Sequence, residues 1–328
     1  MNFRKLGKTH FQISEVGLGT WQVGGKWGSE FSHDRAQQIL NTAVENGVNF
    51  IDTADVYGDG ESEKAVGKFV KTCKERIYVA TKCGRQLKPH TDQAYTPQAL
   101  RGFVEASLKN MHLETLDLVQ LHCPPTETYQ RPEIFGEFEL LKKEGKVQNL
   151  GVSVQTIAEA ISSFQYDNVT TVQLIFNIFR QKPAEEFFQK AKESNIGLII
   201  RVPLASGMLS GKFDENSVFA KEDHRNFNRN GEAFDKGETF SGVNYKVALE
   251  AVKQIKEIFE PTTNLAHVAL AWILSFEDVS TVIPGASSPQ QVISNCAVDK
   301  FPVLSVSEIE QINKVYQSLI KEEVHHLW

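Results

Sequence analysis

Eight short runs of apolar and β-branched residues recur along the chain, and longer segments with helical spacing separate them. The runs cover residues 16–20, 48–53, 77–82, 116–122, 147–153, 170–176, 198–203 and 279–283. Strands that alternate with helices build a parallel sheet, and eight of them close the commonest α/β barrel. The alternation therefore predicts an α/β fold, a single (β/α)8 TIM barrel that forms one domain over residues 1–328.

The segments between the runs carry helix-boundary signals. Ser32 suits the N-cap of a helix over residues 32–45. Thr96 suits the N-cap of the next helix, and Pro97 occupies the first helical position. Gly145 follows residues 133–143 and suits the end of a helix. These signals predict crossover helices between the strands.

Three segments fall outside the repeat, and one of them is the tail over residues 321–328. Residues 3–13 hold Gly7 between two short apolar runs, which predicts a small hairpin that plugs the lower end of the barrel. Residues 213–244 form a long, polar loop after the seventh strand. Loops of this length are usually functional lids or disordered, and the sequence leaves both interpretations open.

The net charge, the apolar stretches and the cysteine spacing argue against several classes of protein. The net charge of −6 gives no reason to expect binding to nucleic acid or to anionic membranes. No apolar stretch approaches the roughly 18 residues of a membrane helix, and the first residues lack the apolar core of a secretory signal. The four cysteines form no C-x-x-C pair and fit no zinc site. We therefore expect a cytoplasmic protein with reduced thiols and no metal.

The common nucleotide-binding motifs are missing. The nearest approach to G-x-G-x-x-G starts at Gly17, and its sixth position is Gln22, where close helix packing needs glycine. A P-loop also fails, because Trp27 stands where Ser or Thr would bind Mg²⁺. A dinucleotide would need another architecture.

Polar residues at three successive strand ends are candidates for catalysis, because catalytic side chains of such barrels lie at the C-terminal ends of strands. Asp52 lies at the end of the second strand and Tyr57 follows that strand, Lys82 ends the third and His122 ends the fourth. Each of them alone has a structural explanation: Asp52 as a turn residue, Tyr57 as a packing residue, Lys82 as part of a surface ion pair and His122 as a core histidine. Their joint placement favours a shared catalytic site.

These residue types suit the reduction of a carbonyl group. Tyr57 would donate the proton, but a tyrosine with an unperturbed pKa of about 10 is a poor acid at neutral pH. A cation at Lys82 would lower that pKa, and Asp52 would hold the lysine in its charged form. His122 would hydrogen-bond the substrate carbonyl and orient it.

Residues 52–63 have the sequence Asp-Thr-Ala-Asp-Val-Tyr-Gly-Asp-Gly-Glu-Ser-Glu. This segment resembles the signature of the aldo-keto reductase family. Further matches follow in the same order from about residue 3 to about residue 320. They include the segments 17–21, 80–82, 121–122, 144–147, 151–153, 203–207, 211–212 and 283–287. The chain looks most like bacterial members akin to the β subunits of voltage-gated potassium channels.

The resemblance implies a catalytic tetrad of Asp52, Tyr57, Lys82 and His122, with Tyr57 as the general acid. It also implies a nicotinamide cofactor across the barrel mouth, in contact with Gly19, Thr20, Trp21, Asp52, Ser153, Gln173, Arg201, Val202, Pro203, Leu204, Ala205, Gly207, Lys212, Arg225, Gly285, Ser287, Gln291 and Asn295. Ser153 and Gln173 would bind the carboxamide, and the residues after the seventh and eighth strands would follow the phosphates. The implied substrate pocket is formed by Trp21, Trp27, Tyr57 and Cys123.

Three positions depart from the family pattern. Arg201 stands where many members stack an aromatic ring on the nicotinamide, and its guanidinium would stack there or reach a phosphate. Val154 replaces the usual Asn or Arg after the serine of the fifth strand, and Gln291 stands where strict NADPH users often have arginine. NADPH is still expected, with NADH as the alternative, because the 2′-phosphate would meet Ser287, Ser288, Lys212 and Arg225.

Cys123 lies beside His122 in the sequence. We interpret it as a packing residue, and a redox-sensing thiol is the alternative.

Three functions are compatible with these residues. The first is an NAD(P)H-dependent oxidoreductase that transfers hydride to the carbonyl of an aldehyde or ketone, or catalyses the reverse alcohol oxidation. The second is a non-catalytic, cofactor-sensing binding protein, and the third is a barrel isomerase that works without nicotinamide. An intact tetrad favours the first, with a small carbonyl compound as the partner. The sequence leaves the substrate, the reaction direction and the oligomeric state open.

Overall fold

The computed structural model describes residues 1–25 and 30–328. The strands in that part of the chain are β1 (Phe3–Lys5), β2 (Gln12–Ser14), β3 (Leu18–Gly19), β4 (Phe50–Asp52), β5 (Tyr78–Cys83), β6 (Leu116–His122), β7 (Val147–Ser153), β8 (Val169–Ile175), β9 (Gly197–Arg201) and β10 (Val279–Val282). Strands β3 to β10 lie in sequence order in one sheet, and each neighbouring pair is parallel. Parallel bridges from Val16 to Val282 and from Gly19 to Gly285 join the two edges of the sheet. The predicted (β/α)8 fold is confirmed.

Helices alternate with the strands of the barrel and continue after the last strand. They are α1 (His33–Glu45), α2 (Glu61–Thr72), α3 (Pro97–Met111), α4 (Pro132–Lys143), α5 (Ile157–Ser163), α6 (Lys182–Glu186), α7 (Phe188–Glu193), α8 (His224–Phe227), α9 (Tyr245–Lys256), α10 (Leu265–Leu274), α11 (Pro289–Cys296), α12 (Val306–Val315) and α13 (Lys321–Val324). The predicted caps are confirmed, since the hydroxyls of Ser32 and Thr96 accept from the backbone N–H groups of Arg35 and Ala99. Within the described residues, no helix has the length and apolar character needed to cross a membrane.

The predicted N-terminal hairpin is present and fills the lower end of the barrel. Strands β1 and β2 pair antiparallel, and the side chains of Leu6, Phe11 and Ile13 are buried. They pack with Phe50, Ala80, Leu118 and Ile199 of the barrel strands and with Ile283, which follows β10. Gly7 has a φ of +49°, and a Cβ there would lie 2.2 Å from the backbone N of Gly197. The hairpin is therefore in backbone contact with the start of β9.

The long loop over residues 213–244 contains α8 and two 3₁₀ turns, at Lys236–Glu238 and Phe240–Gly242. The last residue of the chain, Trp328, packs against this loop and is 7% exposed. Its ring lies 3.8 Å from the guanidinium carbon of Arg180, and its indole N–H donates to Asp235 at 3.5 Å. Of the two interpretations left open by the sequence, the structure favours a covering loop with defined contacts.

Candidate active site

Lys82, near the end of β5, is the centre of a buried polar cluster. Its side chain is 1% exposed, and its ammonium group donates to Asp52 Oδ1 at 2.5 Å, Thr53 O at 2.9 Å and Tyr57 Oη at 3.2 Å. An ammonium has three N–H donors, so each acceptor takes one. Burial alone would lower the pKa of Lys82, but the charge of Asp52 and the contact with Tyr57 raise it above its ordinary value. Lys82 is therefore a protonated cation.

Asp52 ends β4 and joins residues from three other strands. Its Oδ1 meets Lys82, and its Oδ2 accepts from Gln120 Nε2 at 3.2 Å and from Gln173 Nε2 at 2.7 Å. Gln120 lies on β6 and Gln173 on β8. Gln173 was predicted to contact the cofactor, and Gln120 was not among the predicted site residues. A signal for Gln120 existed, because residues two apart on a strand share a face and Gln120 precedes His122 by two.

Tyr57 lies in the turn between β4 and α2 and is half-buried. Burial raises the pKa of its phenol, Lys82 acts in the opposite direction, and the charge of Asp52 raises the pKa further. The lowering expected from Lys82 is present but is outweighed, so the pKa of Tyr57 lies above its ordinary value. The phenol is therefore neutral and protonated at physiological pH.

His122 ends β6 and lies edge-on to Tyr57, with ring centroids 6.2 Å apart and an interplanar angle of 83°. Its Nδ1 is buried and has no hydrogen-bond partner among the described residues. Burial, and then the charges of Lys82, Arg85 and Arg201, lower the pKa of His122 well below its ordinary value. A neutral imidazole and a neutral phenol are thus neighbours, and both types of group can donate to one oxygen.

Trp21 forms a wall between Tyr57 and the long loop. Its indole stacks on Tyr57, with centroids 6.2 Å apart and planes 20° apart. It also meets His224 at 5.2 Å and Phe234 at 6.3 Å, both in the loop. The loop therefore covers the mouth next to β3. Trp27, the other predicted indole of the substrate pocket, lies outside the described residues.

Arg201 ends β9, is 8% exposed, and links the loop to the barrel. Its Nη1 pairs with a carboxylate oxygen of Glu238 in the loop, and its Nη2 donates to Val154 O at 3.0 Å. The same Nη2 lies 4.0 Å from Cys123 Sγ. Burial raises the pKa of the Cys123 thiol, which favours the packing interpretation over redox sensing. A contact of Arg201 with a nicotinamide remains a prediction.

The turn after β9, predicted to follow the diphosphate, has an unusual backbone. Val202, Ala205 and Ser206 have φ values of 52°, 45° and 56°, a region that residues with a side chain seldom adopt. Neighbouring groups hold the turn, since Asn177 Nδ2 donates to Val202 O at 2.9 Å and Ser206 Oγ donates to Glu238 O at 2.6 Å. Backbone strain of this kind concentrates at ligand sites.

The residues predicted to hold the adenosine end gather around the start of α11. Gln291 Oε1 accepts from the backbone N–H of Ser287 at 2.7 Å and from its hydroxyl at 3.2 Å. Asn295 Nδ2 donates to Gly285 O at 3.4 Å, and Ser288 caps the helix. The structure brings these predicted residues together at one end of the mouth.

Three other predicted cofactor contacts lie in different settings. Thr20 is fully buried, and its hydroxyl donates to the backbone carbonyl of Asp52 at 3.0 Å. The guanidinium of Arg225 donates two hydrogen bonds to the carboxylate of Asp223, at 2.9 Å and 2.6 Å, and this carboxylate partly neutralises its charge. Lys212 is exposed.

In the part of the chain that the structure describes, no group of three or more His, Cys, Asp or Glu side chains could hold a metal ion.

The fold and this cluster define a class of protein. The chain belongs to the aldo/keto reductase family, whose model matches residues 15–317. It is thus an oxidoreductase of a family that uses a nicotinamide cofactor on small carbonyl compounds. The predicted family is confirmed.

Individual relatives span nearly the whole chain. Aldo-keto reductase YhdN of Bacillus subtilis (strain 168) is 27% identical over 337 residues, which cover 99% of this chain and 96% of that protein. A probable voltage-gated potassium channel subunit beta of Arabidopsis thaliana is 29% identical and covers 97% of both chains, so the predicted similarity to that group is confirmed. The solved structure of a glycerol dehydrogenase from Gluconobacter oxydans gives a TM-score of 0.80 at 26% identity, with 97% of this chain and 96% of that chain covered.

Proposed function

We propose that the protein reduces the carbonyl of an aldehyde or ketone with NAD(P)H, or catalyses the reverse oxidation, and that Tyr57 is the general acid. The observation that carries the proposal is the hydrogen bond from Lys82 Nζ to Tyr57 Oη at 3.2 Å. Because the ammonium is the donor in this contact, the phenol keeps its own hydrogen for a ligand in the mouth. After proton transfer, the same ammonium stabilises the phenolate.

The neighbouring residues have parts in the same step. A bound nicotinamide supplies the hydride. His122, held neutral, donates a hydrogen bond to the carbonyl oxygen and so fixes its position beside the phenol. Asp52 keeps Lys82 charged in its buried position, and Trp21 with the covering loop keeps water from the reacting groups.

The residues of the mouth suit a nicotinamide group. Gln173 gives its amide hydrogens to Asp52 and Gln120, which leaves its oxygen to accept from a carboxamide N–H. Ser153 on β7 pairs in register with Gln173 and lies beside it. The start of α11 offers backbone N–H groups to phosphate oxygens.

We propose NADPH as the preferred cofactor, with NADH as the alternative. The exposed ammonium of Lys212 and the hydroxyls of Ser287 and Ser288 would receive the 2′-phosphate, while Arg225 contributes less because Asp223 already binds it. Titration of the protein with each cofactor, followed by fluorescence, tests this preference. Equal or tighter binding of NADH would contradict it.

The role of Tyr57 is tested by Tyr57→Phe. We expect kcat for a reducible aldehyde to fall by about 10²- to 10⁴-fold, because one proton donor is removed. The dissociation constant of NADPH should change by less than about threefold, since the ring that stacks on Trp21 remains. Tyr78→Phe is a matched control, because Tyr78 stacks on Phe11 at the opposite end of the barrel. Unchanged turnover in Tyr57→Phe would remove Tyr57 from the acid role.

A cofactor-sensing protein without turnover is the second candidate, because the chain resembles channel β subunits. Tight NADPH binding without turnover across a panel of small aldehydes would favour it.

We also propose that residues 1–328 act as one domain in a reducing compartment such as the cytoplasm. Four free cysteines support that proposal.

A further inference from the structure

The second oxygen of Asp52 is held by two buried amides. Gln120 and Gln173 are 0% and 1% exposed, and each places Nε2 within hydrogen-bond distance of Asp52 Oδ2, at 3.2 Å and 2.7 Å. Gln173 Nε2 is also 3.2 Å from Gln120 Oε1. The three side chains therefore form a closed triangle of hydrogen bonds inside the barrel.

The acceptor-only nature of a carboxylate fixes the orientation of both amides. An ionised Asp52 can accept but not donate, so each glutamine must turn its NH₂ group toward it. The oxygen of Gln120 then faces the second N–H of Gln173, and the oxygen of Gln173 is left over. Reversal of either amide would place an oxygen against the carboxylate and leave a buried donor without its partner, which is costly.

We propose that Gln120 is a positioning residue for the reaction. It holds the carboxylate of Asp52 against Lys82, and it fixes the amide of Gln173 so that only the oxygen of Gln173 is presented to the cofactor. The inference rests on the proposed reductase function, because it assigns Gln120 a part in setting the acidity of Tyr57.

The neighbouring strand leaves room for this side chain. A Cβ on Gly151 of β7 would lie 3.2 Å from Gln120 Cγ and 2.1 Å from Thr171 Oγ1. Any larger residue at position 151 would therefore push Gln120 or Thr171 away. A side chain there would clash first with Thr171 and would also crowd the stem of Gln120.

The effect on Tyr57 has a definite sign. The charge of Asp52 disfavours the phenolate of Tyr57. The N–H group of Gln120 donates to Asp52 Oδ2, so its dipole offsets part of that charge. Without Gln120, the phenolate is less favoured and the pKa of Tyr57 rises. Reduction needs the protonated phenol, so the alkaline limb of its pH profile, where activity is lost, should move to higher pH.

The test uses Gln120→Met, which keeps the length of the side chain and removes both hydrogen-bonding groups. We expect kcat to fall by about tenfold and the alkaline limb to move upward by about half a pH unit or more. The dissociation constant of NADPH should change by less than about threefold, because the remaining bond to Asp52 Oδ2 still turns the NH₂ group of Gln173 away from the cofactor. Gln173→Met should move the limb in the same direction but also weaken NADPH binding, because Gln173 faces the cofactor.

Two further variants separate positioning from packing. Gln120→Asn keeps an amide in the core but withdraws it by one methylene, so it should shift the limb in the same direction if Gln120→Met fails to fold. Asn149→Leu is the matched control, since its buried amide donates to Asp117 O on the neighbouring strand, away from Asp52. It should lower stability and leave the limb unchanged.

The outcomes distinguish this inference from the proposed function. A folded Gln120→Met protein with an unshifted limb, or with a shift matched by Asn149→Leu, would overturn the positioning role. If the wild type reduces no aldehyde, the proposed function fails, but the pKa of Tyr57 remains measurable. Tyrosinate absorbance, taken as the difference between each protein and its own Tyr57→Phe version, should then still show a higher pKa in Gln120→Met, and an equal pKa would refute the network.

Discussion

The ion pair between Asp52 and Lys82 makes a quantitative prediction about stability. The two side chains are 2% and 1% exposed and their charged atoms are 2.5 Å apart. When one partner of such a buried pair is removed, the other charge stays behind without compensation, which costs about 3–5 kcal/mol. We expect Asp52→Asn to lose an amount in this range, because Lys82 would keep only Thr53 O and Tyr57 Oη as acceptors.

The substitution carries a second penalty. An asparagine can present its oxygen to Lys82 only by turning its NH₂ group toward the N–H donors of Gln120 and Gln173. Lys82→Met should cost less, because Asp52 would retain these two donors. In Asp52→Asn combined with Lys82→Met, no buried charge is left, so we expect the double variant to recover at least about 2 kcal/mol relative to Asp52→Asn.

Urea unfolding at pH 7, followed by circular dichroism, measures these differences. The pKa of Lys82 is raised in the folded state, so the stability from the pair is fully present below the unfolded lysine pKa of about 10.4 and is lost as the pH rises through the folded value. A measurement at pH 7 therefore captures it in full. Losses below about 1 kcal/mol in both single variants, or strict additivity in the double variant, would refute the reasoning.

Two other predictions concern groups outside this pair. Burial, and then the charge of Glu63, raise the pKa of Asp55 from 3.8 to about 7. Since the pKa of Asp55 is higher in the folded than in the unfolded state, the stability of the protein falls as the pH rises between these two values. The free energy of unfolding of Asp55→Asn should match that of the wild type near pH 4 and exceed it by up to about 4 kcal/mol at pH 8. Equal urea midpoints at pH 8 would count against this prediction. Among the cysteines, Cys73 is partly exposed and the other three are buried, so iodoacetamide should modify Cys73 first in the native protein. Equally fast modification of Cys123, followed by mass spectrometry of peptides, would restore its redox interpretation.

Much of the barrel could be predicted from the sequence, because each strand is a local pattern. Residues 116–122 and 147–153 were predicted as strands, and β6 and β7 have these same bounds. Parallel strands bring their C-terminal ends to one rim. For this reason Asp52, Lys82 and His122 could be expected together without knowledge of any side-chain contact.

The remaining features depend on contacts between residues far apart in the chain. Gln173 is 121 positions from Asp52, and no local pattern reveals that the amide turns inward to that carboxylate. The pKa of Tyr57 depends on its burial by Trp21 and by the long loop over residues 213–244. No periodic pattern in the sequence predicts the path of that loop. Glu238 is one of many acidic residues in the chain, and only the folded loop shows that it pairs with Arg201.

The interior of the barrel changes character between one layer of side chains and the next. Phe50, Ala80 and Leu118 belong to the apolar cluster beneath, and two residues further along the same strands stand Asp52, Lys82 and Gln120. This step covers only about 6.6 Å of strand. Substitutions in the apolar layer would therefore change the packing at the lower end of the barrel without removing any group of the polar cluster above it.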